Sequence, residues 1–329
     1  MARKFVVIGH IVNDTEPLDH PGGVVAYAGI AASYLGAKTH IITKCPNKHP
    51  YIEFLESNGL HVHRLPSQTN NITTFKNFYN EKGERNQVVL SKQEAIQESD
   101  LDHIQTDLLR DAIILVGTVI GEVDVKLFPK LSSFGKLAVA PQGYFRKIGE
   151  KGKVSYQEWI GFEKYLSSAQ VVVLSVEDLT IGGVFQEKLL RKLRECSQIV
   201  ALTRGHGGAT IYEQGKEPIS NYAFALLDTE IKDFTGAGDT YTSAFLLFYQ
   251  QTNDAKLASV IASLYAAVKI TGMHGIGMES IPGKLEIALF LESRKERLRK
   301  FLKANSIAVD IKKYIFNNSS MDTSLIPIT

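Results

Sequence analysis

The chain has 329 residues, of which 44% are hydrophobic and 22% charged, a balance typical of soluble globular proteins and not of disordered or fibrous ones. Thirty-seven Lys and Arg residues face thirty-five Asp and Glu residues, which leaves a formal net charge of +2 and argues against nucleic acid as a main partner. The longest uncharged apolar stretch, Leu257–Val268, is shorter than the roughly 18 residues of a spanning helix, so no membrane partner is expected.

The two cysteines, Cys45 and Cys196, lie far apart and form no Cys-x-x-Cys motif, so neither a disulfide framework nor a zinc ribbon is indicated. The apolar segment Phe5–Ile8 follows two basic residues but leads to Asn13 and Asp14 without the small-residue cleavage site of a signal peptide. We therefore expect a first β-strand there and a cytoplasmic protein.

Short β-rich apolar segments alternate with amphipathic stretches along the chain. The predicted strands are Phe5–Ile8, His40–Thr43, Ala112–Val116, Leu137–Ala140, Val171–Leu174 and Ile199–Thr203, and the predicted helices between them include Val24–Leu35, Ile52–Ser57 and Val184–Arg194. This alternation predicts an α/β fold with a mostly parallel sheet flanked by helices. Ligands of such sheets bind beyond the carboxyl ends of the strands, so the loops there are the places to search.

One segment departs from this pattern. Asn71–Tyr79 and Arg85–Ser91 are rich in Thr, aromatic residues and Val, which predicts an inserted β-hairpin over residues 71–91. It is a candidate lid over a ligand site, and the alternative is an ordinary hairpin at a sheet edge.

Near the end, Leu291–Lys303 predicts a basic, solvated helix, and residues 304–329 form a C-terminal extension.

The strongest chemical signal is Gly236-Ala237-Gly238 followed by Asp239. In the next segment, Thr240–Gln250, apolar residues recur with helical spacing, so a buried helix is expected to begin at or just after the glycines. The unpaired N–H groups and the positive dipole end of a helix N-terminus form an anion site, which glycines allow a phosphate to approach closely.

Asp239 would lie in the first turn of that helix. A carboxylate beside a bound anion weakens binding by repulsion, but it suits a base that takes the proton from a hydroxyl as its oxygen attacks phosphorus. The alternative is that Asp239 only stabilises the helix end through the dipole.

The segment Phe234–Asp239 resembles the C-terminal signature of the ribokinase-like (PfkB) carbohydrate kinases, usually written D-T-x-G-A-G-D. The resemblance includes Asp14 after the first strand, the Gly22-Gly23 pair that opens a helix, and Thr73-Thr74-Phe75 in the hairpin. It implies a ribokinase-like three-layer α/β fold with a small β-sheet lid, in a single domain over residues 1–329. It also implies ATP and Mg²⁺ as cofactors and a small polyol or sugar as acceptor.

The resemblance assigns roles to several residues. Asp239 matches the catalytic base of the family, and Gly236, Ala237 and Gly238 match its anion hole. Asp14, Gly22 and Gly23 occupy positions that hold substrate hydroxyls. The nucleotide-binding residues would be Thr203, Arg204, Gly205, Gly208, Thr235, Gly236 and Gly238. From the residues alone, the Gly-rich turn at 203–208 is equally compatible with a plain turn.

The sequence departs from the family at two places. Ser175-Val176-Glu177-Asp178 stands where the family usually has Asn-x-x-Glu, and Ser175 and Asp178 could hold a hydrated Mg²⁺ through waters. Tyr27 replaces an Asn of ribokinase itself, which points away from ribose. Gln142 and Arg146 lie in the loop after a strand, and their pattern resembles that of the myo-inositol kinase branch of the family. Together with Tyr27 they are expected to contact the acceptor. The alternative is that this loop only packs on the sheet.

Together these residues predict an ATP-dependent kinase of a cyclitol such as myo-inositol. The alternatives are a kinase of a nucleoside or of a ribose- or fructose-type sugar, and a catalytically inactive sugar-binding sensor on the same fold. Dinucleotide and P-loop enzymes are disfavoured because neither glycine fingerprint occurs. His61 and His63 share a strand face, but no further ligand accompanies them, so no metal site is predicted there. The expected state is a monomer or a homodimer formed through the lid.

Overall fold

A computed structural model of the chain describes residues 3–15, 19–79, 85–272 and 277–316. The turn of the predicted hairpin, residues 80–84, and residues 317–329 of the predicted extension lie outside these ranges.

The strands of the described residues are β1 (Lys4–Ile8), β2 (Val12–Asp14), β3 (His20–Gly22), β4 (Lys38–Thr43), β5 (His61–Arg64), β6 (Thr73–Tyr79), β7 (Arg85–Ser91), β8 (Ile113–Gly117), β9 (Lys136–Ala140), β10 (Arg146–Ile148), β11 (Val154–Tyr156), β12 (Val171–Ser175), β13 (Thr180–Ile181), β14 (Val184–Phe185), β15 (Ile199–Thr203), β16 (Ala209–Glu213) and β17 (Ile219–Asn221).

The α-helices of the same residues are α1 (Val24–Tyr34), α2 (Pro50–Ser57), α3 (Thr106–Leu109), α4 (Leu127–Phe134), α5 (Glu163–Leu166), α6 (Glu187–Cys196), α7 (Ala237–Thr252), α8 (Ala255–Ile270), α9 (Lys284–Ser293), α10 (Lys295–Ala304) and α11 (Lys312–Phe316).

Within the described chain, nine strands form the main sheet in the order β17-β16-β15-β12-β9-β8-β1-β4-β5. The strands from β15 to β5 pair in parallel, and only β16 and β17 pair antiparallel. All six predicted strands are present. The helix predicted from Val184 begins at Glu187 instead, because Val184–Phe185 pairs with Thr180–Ile181 as a short hairpin.

Successive side chains of the central strands point into two different cores. In β1, Phe5 and Val7 pack with α1, α7 and α8, whereas Val6 and Ile8 pack with α4 and α6 on the opposite face. A parallel strand buried on both faces reads as a continuous apolar segment, which is why these strands were recognisable in the sequence. The predicted three-layer α/β architecture is confirmed.

A second, separate sheet of the described residues has the order β3-β2-β6-β7. The predicted hairpin supplies β6 and β7, and β6 pairs in parallel with β2, not with an edge of the main sheet. Val12 and Phe75 of this sheet pack on Val119 and Ile120, in the loop after β8. The hairpin therefore forms a small sheet over the carboxyl edge of the main one.

Glu122 ties two loops at this carboxyl edge together. Its carboxylate is fully buried and accepts hydrogen bonds from the backbone N–H groups of His10, Val119 and Ile120 at 2.9–3.3 Å. A buried carboxylate requires such donors to offset the loss of hydration. The loops after β1 and β8 consequently hold one fixed arrangement beneath the small sheet.

The predicted helix Leu291–Lys303 is broken into α9 and α10, because Arg294 leaves the helical conformation with φ −131° and ψ 31°. Glu230, in the segment before α7, binds Arg294 at 2.8 Å and Arg297 at 2.5 Å. This carboxylate fastens the junction of the two helices to the segment that leads to α7. In the described part of the chain, no helix is long and apolar enough to cross a membrane.

Replacing Glu230 by Gln tests this fastening. The hydrogen bonds from Arg297 foremost lower the pKa of Glu230 to about 2, below its value of about 4.3 in an unfolded chain. The resulting stabilisation is present above about pH 4.3 and is lost as the pH falls towards 2. We expect Glu230→Gln to lower the free energy of unfolding at pH 7 by roughly 2 kcal/mol, since partial exposure of the arginines screens the pair.

Urea unfolding at a series of pH values measures this effect, and the variant should show a flatter pH dependence below pH 5. Glu296→Gln is the matched control, because the pair of Glu296 with Lys300 is largely exposed. Equal losses of stability in both variants would contradict the assigned role of Glu230.

Candidate active site at the start of helix α7

Helix α7 begins where the sequence predicts, at Ala237, with Asp239 in its first turn. Gly236 is the residue before the helix and has φ 74° and ψ 5°, in the left-handed region that glycine adopts readily. The chain turns sharply into the helix at this point. The helical geometry leaves the first backbone N–H groups without intrahelical partners.

The two glycines of the motif have different surroundings. A Cβ atom at Gly236 would overlap the ring of Tyr27, so this glycine allows close packing. A Cβ atom at Gly238 would meet no described atom within 4 Å, so this glycine borders open space. Open space in front of first-turn amides and a positive dipole end is suited to an anion. Anion binding by Gly236, Ala237 and Gly238 stays a prediction.

Asp14 lies at the end of β2, beside the start of α1. Its Oδ1 accepts a hydrogen bond from Asn77 of the small sheet at 3.2 Å, and Gln87 donates to the amide oxygen of Asn77 at 2.8 Å. A Cβ atom at Gly22 would overlap the carboxylate of Asp14, so glycine is required there to make room. Gly23, with φ 86°, directly precedes α1. The predicted acceptor residues Asp14, Gly22 and Gly23 are therefore neighbours.

Tyr27 connects the acceptor residues to the anion hole. It lies in the first turn of α1, is 2% exposed, and packs its ring against Gly236. Its hydroxyl is buried and has no hydrogen-bond partner among the described residues. Burial foremost, and then the negative charges of Asp233, Asp14 and Asp239, raise the pKa of Tyr27 well above its usual value. The hydroxyl is therefore a neutral donor within electrostatic reach of these carboxylates.

Gln142 and Arg146 lie in and just after a single turn of 3₁₀ helix that follows β9. Arg146 is buried and donates to the backbone oxygen of Val119 at 3.2 Å, which supports the loop after β8. This contact gives Arg146 a structural role at the loop after β8, and it does not decide between that role and contact with the acceptor. A contact of either side chain with the acceptor stays a prediction.

Thr203, Arg204, Gly205 and Gly208 form the turn between β15 and β16. The backbone N–H of Arg204 donates to the oxygen of Gly208 at 2.8 Å, which closes the turn. Gly205 is exposed and borders open space, whereas Gly208 is buried with its backbone close to Asn221. Thr235, one residue before Gly236, donates its N–H to Asp233 at 2.8 Å. Nucleotide binding at this turn stays a prediction.

Ser175 and Asp178 contact each other at the end of β12. Both the N–H and the hydroxyl of Ser175 donate to Oδ2 of Asp178, at 2.8 and 3.0 Å. The other carboxylate oxygen, Oδ1, is buried without a hydrogen-bond partner in the described residues. Those residues contain no cluster of three or more side chains that could hold a metal ion directly. A hydrated Mg²⁺ needs only one or two protein carboxylates, so these two residues fit a water-mediated site.

Two residues that the sequence analysis did not assign also contact the site. Lys269, near the end of α8, is fully buried and donates to the carboxylate of Asp233 at 2.8 Å. Burial alone would raise the pKa of Asp233, but the hydrogen bonds from Lys269 and Thr235 outweigh it and lower that pKa. The one signal in the sequence is a lysine at the end of an otherwise apolar helical stretch.

The start of α7 combines open space at Gly238 with a carboxylate, Asp239, in the first helical turn. This arrangement is typical of a phosphotransferase site on an α/β fold. Residues 9–280 match the family model described as pfkB family carbohydrate kinase. The chain belongs to that family, as the signature at Phe234–Asp239 predicts.

Three solved structures illustrate the similarity. A sulfate complex of a pyrophosphate-dependent kinase in the ribokinase family is 25% identical and covers 84% of this chain and 98% of its own, with a TM-score of 0.69. A pyrophosphate-dependent kinase in the ribokinase family, complexed with a pyrophosphate analog and myo-inositol, is 24% identical. The match covers 84% of this chain and 98% of that one, with a TM-score of 0.68. The ribokinase of Arabidopsis thaliana, complexed with ribose and ATP, is 15% identical, covers 89% and 99%, and has a TM-score of 0.63.

One curated relative is the acarbose 7(IV)-phosphotransferase of an Actinoplanes species, which is 30% identical over 86 residues. The match covers 26% of this chain and 28% of that protein, so it spans less than a third of either.

The contrast between the two glycines gives a paired prediction. Gly236→Ala places a methyl group in the ring of Tyr27 and in a left-handed conformation, and it should destabilise the protein by about 2 kcal/mol or more. Gly238→Ala meets neither obstacle and should keep or slightly raise the melting temperature, but its methyl group enters the predicted anion site and should weaken donor binding. Thermal melts and sulfate titrations of both variants check this; equal melting temperatures would contradict it.

Proposed function

We propose that this protein transfers a phosphoryl group to a hydroxyl of a small cyclitol or sugar, with myo-inositol as the first acceptor. The observation that carries the proposal is Asp239 in the first turn of α7, beside the open space that borders Gly238. The similar structure that contains myo-inositol favours a cyclitol over ribose, and Tyr27 in place of the ribokinase Asn favours it as well.

In the proposed reaction, Asp239 takes the proton of the attacking hydroxyl while the oxygen of that hydroxyl forms a bond to phosphorus. The bond from that phosphorus to the bridging oxygen of the donor breaks, and the leaving phosphate or nucleotide keeps the electron pair. The amides of Gly236–Gly238 stabilise the negative charge on the transferring group. Asp178, with Ser175, would hold a hydrated Mg²⁺, which supplies positive charge to the donor phosphates when bound.

Asp14 orients the acceptor by accepting its hydroxyl hydrogens, since a carboxylate can accept more than one. The hydrogen bonds from Asn77 to Asp14 and from Gln87 to Asn77 connect this carboxylate to both strands of the hairpin. Occupation of the acceptor site is therefore coupled to the position of the small sheet. Closure of this sheet as a lid would exclude water, which otherwise competes as a phosphoryl acceptor.

The donor is ATP or pyrophosphate. The sequence favours ATP through the family resemblance, whereas two of the similar structures are of pyrophosphate-dependent kinases. An anion hole made of backbone amides contacts the phosphates alone, so it serves either donor. The turn at 203–208 would contact the rest of a nucleotide only if ATP is used.

A matrix of two donors and several acceptors tests the proposal. Purified protein with Mg²⁺ is incubated with ATP or pyrophosphate and with myo-inositol, other inositols, pentoses, hexoses or nucleosides, and phosphorylated product is measured. We expect turnover of myo-inositol with one of the donors. Tight binding of a polyol without turnover under any combination would favour the inactive sensor and would overturn the proposal.

Asp239→Asn tests the assigned base. Because an amide cannot take the proton, kcat should fall by about 10³-fold, while the Kd of the acceptor by calorimetry should change little. Asp228→Asn, an exposed residue in the segment before the motif, is the matched control and should retain full activity. If Asp239 served only the helix dipole, the variant would lose stability and keep its kcat, contrary to the proposal.

A further inference from the structure

Lys269 is an unusual residue for its position. It lies in the last turn of α8 and is fully buried, and lysine is almost never fully buried unless it is paired. Burial foremost lowers its pKa, and the nearby charges of Asp233 and Asp239 oppose that effect. A buried ammonium needs strong partners, so its contacts indicate why it is there.

Among the described residues, the hydrogen bonds of the Lys269 ammonium go to Asp233, in the segment before α7. Its ammonium donates to the carboxylate of Asp233 at 2.8 Å and to the backbone oxygen of the same residue at 3.2 Å. The carboxylate of Asp233 also accepts the N–H groups of Thr235 at 2.8 Å and Gly277 at 2.7 Å. The backbone N–H of Asp233 donates to Ile270 at 3.2 Å. The segment before α7 is thus bound to the end of α8 through both the backbone and the side chain of Asp233.

This segment leads directly into the anion hole. Asp233 lies three residues before Gly236. Its carboxylate accepts the N–H of Thr235, which is the residue next to Gly236. On the other side, Gly236 packs against Tyr27, whose ring also lies 5.8 Å from the ammonium of Lys269. The entry to α7 is therefore held between the ring of Tyr27 and the Lys269–Asp233 pair.

We propose that Lys269 is a positioning residue for phosphoryl transfer: through Asp233 it fixes the entry to α7, so that the amides of Gly236–Gly238 point at the transferring group. This inference rests on the proposed function of the site. An internal cation at this place also offsets the negative charge of Asp233. The neutral Met side chain, of similar length, removes the ammonium without removing the bulk.

The experiment compares wild type, Lys269→Met and the double variant Asp233→Asn/Lys269→Met. Lys256→Met, at the other end of α8, is the matched control. Melting temperature, kcat, the KM of donor and acceptor, and the affinity for inorganic sulfate are measured for each. We expect Lys269→Met to lower kcat by about 10²-fold, since small misplacements of catalytic groups cost that much. Sulfate affinity should fall as well, while the KM of the acceptor stays unchanged.

The double variant separates positioning from charge balance. It removes both charges and should recover the melting temperature but not kcat or sulfate affinity. Three outcomes would each overturn the positioning role. The first is recovery of the melting temperature, kcat and sulfate affinity together in the double variant. The others are a kcat of Lys269→Met within threefold of wild type and failure of both variants to fold. If wild type itself transfers no phosphoryl group, the proposed function fails. The sulfate titrations then still report whether Lys269 shapes the anion site.

Discussion

The arrangement of this site depends on one contact, in which the ring of Tyr27 lies where a side chain at residue 236 would be. Helices α1 and α7 can approach at their first turns only because Gly236 has no Cβ atom. The same residue needs the left-handed conformation that begins α7. A single glycine therefore brings the predicted acceptor residues at the start of α1 next to the amides at the start of α7. Chemistry that needs a hydroxyl and a phosphate in line requires this proximity.

The charges around this contact bear on how a chain of nearly neutral composition would serve the highly charged donor of the proposed reaction. Burial foremost, and then the charges of three carboxylates, Asp233, Asp14 and Asp239, raise the pKa of Tyr27. Asp233 is bound to Lys269, and Asp14 accepts a hydrogen bond from Asn77. In the proposed reaction, positive potential for the phosphates comes from the dipole of α7 and its backbone N–H groups, which add nothing to the formal charge of +2.

Much of this could be predicted from the sequence, because the relevant signals are local. The strands of the main sheet are buried on both faces and read as apolar segments, and the start of α7 is marked by glycines followed by helical spacing. The partner of the hairpin was not predictable, because β2 is only three residues long and pairs across a long sequence separation. The break at Arg294 was missed for a similar reason, since its cause is the distant carboxylate of Glu230.

Lys269 shows most clearly where sequence reasoning ends. Read locally, a lysine near the end of a helix suggests an exposed residue that favours the negative dipole end. Its actual environment is set by Asp233, 36 positions earlier, and by the backbone that follows α8. Long-range polar pairs of this kind carry no periodic signature in the sequence. The motif in the sequence therefore predicts which residues meet the phosphate, while the buried partners that hold them in place become visible only in three dimensions.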